Sequence, residues 1–100
     1  MERGGCIYII TNYNHTTLYT GVTADLQARI SQHRQGVQAR SFSHRYRLYK
    51  LVYYRFYPRI EEAIAEEKRI KGGSRRKKEA LIIEANPGWR DLYEEDVKYW

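Results

Sequence analysis

Two short runs of strand-forming residues, 6–11 (CIYIIT) and 16–22 (TTLYTGV), flank the four-residue stretch Asn12-Tyr13-Asn14-His15. β-branched and aromatic residues on either side of an Asn-rich loop read as a β-hairpin. With a symmetric four-residue loop, Thr11 faces Thr16, and the same register sets Tyr8 opposite Tyr19. Directly opposed residues share a face of the sheet, so the two phenols stand side by side. A third run, residues 46–57 (YRLYKLVYYRFY), reads as a long strand ended by Pro58. Between the strands, Thr23 or Asp25 caps a helix running to about Gln35, where Gly36 is a natural stop, and residues 37–45 read as a basic loop. A second helix over 59–71 stops at Gly72-Gly73, and a third, capped by Ser74, reaches Ala85 before Asn86-Pro87-Gly88 breaks it. The tail from Trp89 to Trp100 holds a short helical turn. The expectation is an α+β fold, a three-stranded antiparallel sheet flanked by helices, in a single domain over residues 1–100.

Composition bounds what such a domain does. The 100 residues are 42% hydrophobic, enough for a compact core and too much for wholesale disorder. No apolar run approaches the roughly 18 residues that cross a bilayer, and the start Met-Glu-Arg-Gly-Gly does not read as a signal peptide. One cysteine, Cys6, forbids an internal disulfide and points to a reducing cytoplasm. A net charge of +6 favours an anionic partner, nucleic acid foremost. The ten tyrosines suit strands and base stacking equally.

Polar residues interrupt two helical stripes. In the first helix, Leu26 and Ile30 mark the apolar face, and Arg29 and His33 fall on it. Either the arginine snorkels at the sheet edge or it meets an anion. In the second helix, Ile60, Ala63 and Ile64 mark the face, and the next member is Glu67, while Glu61, Glu62 and Glu66 fall elsewhere. Glu67 is either half of an internal ion pair, with Arg29 the candidate partner, or a metal ligand or general base. Convergence of Tyr8, Tyr19, Arg29, His33 and Glu67 on one concavity supplies what phosphodiester hydrolysis needs: a cation and an arginine for charge developing on phosphorus, and a phenol or imidazole for protons. A single carboxylate suits Mg²⁺, which keeps several waters and accepts phosphate oxygens.

Arg75-Arg76-Lys77-Lys78 occupies the first turn of the third helix, the positive end of its dipole. A nucleic-acid phosphate relieves that conflict; a solvated basic face is the alternative. Arg40, His44, Arg45 and Arg47 make a second, weaker basic patch. Walker and Rossmann glycine patterns are absent, and three dispersed histidines with one cysteine make no ordinary zinc site.

Taken in order, these residues resemble the GIY-YIG nuclease family, and its small bacterial excinuclease-like (UPF0213-like) members most. The signature elements are Cys6-Ile7-Tyr8 and Tyr19-Thr20-Gly21, followed by Arg29 and His33 and then by residues 63–71 (AIAEEKRIK), whose Glu67 matches the family's metal-binding glutamate. The similarity covers about residues 6–92, and Asn86 stands where some relatives place a functional asparagine. Cys6, Thr20 and Val22 depart from the family's glycine, isoleucine and occasional lysine. The resemblance implies an endonuclease dependent on one divalent ion, Mg²⁺ or Mn²⁺, held by Glu67. Arg29 stabilises charge on phosphorus, and Tyr8 or Tyr19 with His33 positions or activates water. DNA is the expected substrate, in repair or recombination, with a protein partner for targeting. The alternative is a catalytically weak nucleic-acid-binding module with the same fold, docking through Arg40, Arg45, Arg75, Arg76, Lys77, Lys78 and Asn86.

Overall fold

The computed structural model describes residues 4–35 and 47–100. Their elements run β1 (Gly5–Thr11), β2 (Leu18–Thr23), α1 (Leu26–Gln35), β3 (Lys50–Tyr57), α2 (Ile60–Lys71), α3 (Arg75–Ala85), α4 (Leu92–Glu95) and a closing 3₁₀ turn, Val97–Tyr99. The sheet is antiparallel in the order β2-β1-β3, as the α+β expectation has it.

The central strand explains the architecture. All of β1 is buried because both of its faces are covered. Cys6, Tyr8 and Ile10 pack with Leu26 and Ile30 of α1, with Leu48 and Leu51, and with Val97 of the tail. Ile7 and Ile9 pack the other way, against Ala63 and Ile70 of α2 and Ile82 of α3. A strand with two covered faces reads as a continuous apolar run, which is how its sequence reads. Cys6 is fully buried in this packing, and burial pushes its thiol up to about 12.

The hairpin register differs from the symmetric expectation. Thr11 pairs with Leu18, Ile10 with Tyr19, and Tyr8 with Gly21. The connection is longer because Asn12 organises it: its side-chain oxygen accepts from the Thr16 and Thr17 amides at 2.8 and 3.1 Å, while Thr11 Oγ1 donates to the Thr17 carbonyl at 2.8 Å. Asn12 thus closes a wide Asx loop instead of a tight turn. The slip is by two residues, an even number, so Tyr8 and Tyr19 keep a common face and become diagonal neighbours.

β3 begins at Lys50, later than the sequence run suggests, because Arg47 turns the chain with a positive φ of 57°. Within it, Ile9 pairs with Tyr53 and Ile10 with Leu51, leaving Val52 as the extra residue of a β-bulge. Val52 and Tyr53 therefore both face α2 and α3. Helix starts follow the expected caps: the Asp25 carboxylate accepts from the Ala28 amide at 3.1 Å, and Ser74 Oγ accepts from the Lys77 amide at 3.2 Å. On α2 the buried stripe is Ala63, Glu67 and Ile70, whereas Ile64 is 37% exposed and lies off it.

Asn86 belongs to the fold and not to a binding surface, which corrects the expectation that it meets nucleic acid. Its side chain is 0% exposed. Nδ2 donates to the carbonyls of Val52 and Arg90 at 3.1 and 2.9 Å, and Oδ1 accepts from the Arg90 amide at 3.0 Å. It thereby fastens the turn after α3 to the bulged residue of β3. Arg34 of α1 then ties the tail on by donating to the Tyr49 carbonyl and the Asp91 carboxylate at 2.9 and 3.0 Å.

Candidate active site

The five polar residues singled out in the sequence meet at the β2 edge of the sheet, with α1 on one face and α2 on the other. Gly21 lies directly across from Tyr8, and a Cβ there would fall well inside 3.0 Å of the Tyr8 ring and hydroxyl. The missing side chain lets the ring lie across β2 and carry its hydroxyl toward the strand's outer edge. There it meets His33 Nε2 at 3.0 Å. Tyr19 completes an aromatic triangle, its centroid 6.5 Å from Tyr8 and 6.0 Å from His33, with Tyr8 and His33 5.7 Å apart.

Arg29, one turn before His33 on α1, is exposed, and its positive charge acts on the Tyr8 phenol. Glu67 arrives from the opposite layer with a side chain only 11% exposed, and its charge also acts on Tyr8. Glu67 does form an ion pair, but with Lys71 of its own helix at 2.8 Å, not with Arg29. Lys71 Nζ in turn lies 5.5 Å from the centroid of the Tyr19 ring, a cation–π distance.

Protonation states follow from this packing. Burial, and then the neighbouring Tyr19, push the Tyr8 phenol above its ordinary value despite the opposing pull of Arg29. Burial, and then the Arg29 charge, pull His33 below its ordinary value. At neutral pH the hydrogen bond therefore joins a protonated phenol and a neutral imidazole, and the tautomer of His33 sets which of the two donates.

Among the described residues no group of three or more His, Cys, Asp or Glu converges as a metal site. Besides His33, whose Nε2 is engaged with the Tyr8 hydroxyl, the donors at the β2 edge are oxygens: one carboxylate and the phenols. That set fits a hard cation that keeps most of its water, and it does not fit zinc.

The basic positions divide. Arg75 spends its guanidinium on Glu79 at 2.8 Å, on the Thr16 carbonyl at 2.9 Å and on the His15 carbonyl, so it ties the hairpin loop to α3. Lys78 Nζ donates to the Gly73 carbonyl at 2.9 Å. The chain itself thus relieves part of the dipole conflict at this helix start. Arg76 and Lys77 are exposed. Arg40 and Arg45 lie outside the described residues.

The profile of the GIY-YIG catalytic domain matches residues 4–80. The chain belongs to the GIY-YIG nuclease family. It is 36% identical over 78 residues to UPF0213 proteins of Staphylococcus aureus strains Mu3 and Mu50, a match spanning 78% of this chain and 93% of each relative. The solution NMR structure of the UPF0213 protein BH0048 from Bacillus halodurans superposes with a TM-score of 0.55 at 29% identity, covering 92% of this chain and 96% of that one.

Within the GIY-YIG signature, the geometry assigns the second glycine, Gly21, a steric duty toward the first tyrosine. Gly21→Ala forces the Tyr8 ring off β2. If Tyr8 serves cleavage as the family resemblance implies, the expected result is a rate lower by about 100-fold, the usual consequence of a catalytic group misplaced by an ångström. Stability drops by about 1–3 kcal/mol for the overpacking. Gly88→Ala, where a Cβ meets nothing nearer than an Arg90 methylene at 3.5 Å, is the control, expected to change neither the rate nor the thermal melt. Lys71 escaped the sequence reading, although its spacing of four from Glu67 was a usable signal.

Proposed function

We propose that this chain is a divalent-metal-dependent endonuclease that hydrolyses phosphodiester bonds, with DNA as its substrate and repair or recombination in the bacterial cytoplasm as its setting. The observation that carries the reading is the convergence of the Tyr8–His33 hydrogen bond, Arg29 and the Glu67 carboxylate from three elements onto one edge. Membership in a nuclease family supports it. No helix among the described residues is long and apolar enough to cross a membrane.

Each side chain has a role its surroundings suit. Arg29, exposed at the rim, binds the scissile phosphate and offsets the charge that builds on its oxygens. With the Tyr8 proton donated to His33 Nε2, the Tyr8 oxygen accepts from the attacking water and orients it. As the water attacks, its proton passes to the Tyr8 oxygen while the Tyr8 proton passes to neutral His33, so the imidazole, not a phenolate, is the base of this site. The Tyr19 ring lies against both. Glu67 would hold the divalent ion, which when bound supplies Lewis-acid stabilisation to the phosphoryl group and leaving oxygen. The net charge of +6 draws the polyanion in, with Arg76 and Lys77 as exposed backbone contacts. A protein partner selects the target.

One observation favours a second reading. The ion pair of Glu67 with Lys71 satisfies the carboxylate without a metal, as a binding module that does not cleave would have it. Incubation of purified protein with supercoiled plasmid separates the two. Nicking with Mg²⁺ or Mn²⁺ that EDTA stops is the expected result; salt-sensitive binding with no cleavage of duplex, branched or single-stranded DNA would leave the binding module standing instead.

A further inference from the structure

We infer that Lys71 is a built-in counterion that holds the Glu67 carboxylate until nucleic acid arrives and then transfers to a backbone phosphate, so that divalent ion and nucleic acid bind this site cooperatively. The inference rests on Glu67 being the metal ligand.

The Glu67 side chain is 11% exposed, and a carboxylate so buried needs a cation beside it at all times. Lys71 supplies one at 2.8 Å from Oε2. A divalent ion on the same carboxylate would sit within a few ångströms of that ammonium, and Arg29 adds a further positive charge around Tyr8. Without a substrate, the three side chains Glu67, Lys71 and Arg29 already sum to one positive charge. Adding a divalent ion raises that to three, at a partly buried site where no group of three or more His, Cys, Asp or Glu converges among the described residues. Phosphodiester anions are what lower it again.

Lys71 is also built to move. It stands in the last turn of α2 with a side chain 48% exposed, on a flexible four-carbon stem. The Tyr19 face, 5.5 Å from Nζ, flanks it on the way from the carboxylate to the rim. A lysine that leaves Glu67 for a phosphate vacates the carboxylate for the ion and adds a backbone contact in the same motion. Linkage then requires that each ligand tighten the other by the same factor.

Mn²⁺ binding read by the electron paramagnetic resonance of the free ion tests this without any turnover. Titrations are made with and without a short phosphorothioate duplex, which keeps backbone charge and resists hydrolysis. Wild type is expected to bind Mn²⁺ weakly alone and about tenfold more tightly with the duplex. Lys71→Met and Lys71→Gln, both at a half-exposed helix end that tolerates them, are expected to bind Mn²⁺ about tenfold more tightly than wild type without the duplex and to gain little from adding it. Lys71→Arg is expected to keep the wild-type pattern. If Glu67→Gln abolishes Mn²⁺ binding while both uncharged Lys71 variants match wild type, the counterion role is overturned and the metal ligand stands. If Glu67→Gln binds Mn²⁺ as wild type does, both fall.

Discussion

Glu67→Gln is expected to lower plasmid nicking by about 10³-fold or more, because the several kcal/mol of transition-state stabilisation supplied by a bound ion leave with the carboxylate. The amide has nearly the shape of the acid, so the α2 stripe of Ala63, residue 67 and Ile70 keeps its packing. What the variant loses structurally is the pair with Lys71, whose ammonium is half-exposed and readily solvated, for a cost of about 1 kcal/mol or less. A large catalytic effect with a small shift in melting is therefore the signature. Glu66→Gln, one residue earlier, is the comparison: Glu66 holds Arg69 through two hydrogen bonds of 2.7 Å and accepts from the Tyr57 hydroxyl at 3.4 Å, away from the Tyr8 cluster, and its substitution is expected to leave cleavage unchanged. Nicking that survives Glu67→Gln at the wild-type rate would remove Glu67 from the metal site.

Asn86→Ala is expected to produce the largest loss of stability. The substitution removes three hydrogen bonds and strands the carbonyls of Val52 and Arg90 and the amide of Arg90 without partners. Orphaned buried groups cost about 1–3 kcal/mol each, so a total near 3–4 kcal/mol is expected after partial hydration. Against a total stability of about 5–15 kcal/mol that is a large share, and it corresponds to a melting temperature lower by about 15 °C or more. Because Asn86 faces the Val52 bulge and not the β2 edge, DNA binding and cleavage measured well below the melt are expected to persist. Weakened binding at unchanged stability would return Asn86 to the nucleic-acid surface.

The candidate site was legible in the sequence to the extent that it is written in local periodicity. Arg29 and His33 fall on the Leu26–Ile30 stripe and Glu67 on the Ala63–Ile70 stripe, and the helical repeat turns those spacings into directions. Tyr8 and Tyr19 share a face because strand alternation survives any even slip in register. The same locality accounts for the caps at Asp25 and Ser74, which act within one turn of their own helices.

The sequence by itself determined which segments are strands and helices, which side of the first helix and of the central hairpin carries the polar site residues, and which family's signature the chain carries. Only the tertiary structure decided the pairing of Tyr8 with Gly21, the bulge at Val52, the burial of Asn86, and the loss of Arg75 and Lys78 to the chain's own carbonyls. It also decided that Lys71, and not Arg29, neutralises Glu67. The physical reason is the same in each case. A period specifies a face, but a backbone carbonyl or a buried carboxylate takes whichever donor the fold brings into hydrogen-bond reach, and for Val52 that donor came from Asn86, in the turn beyond two further helices.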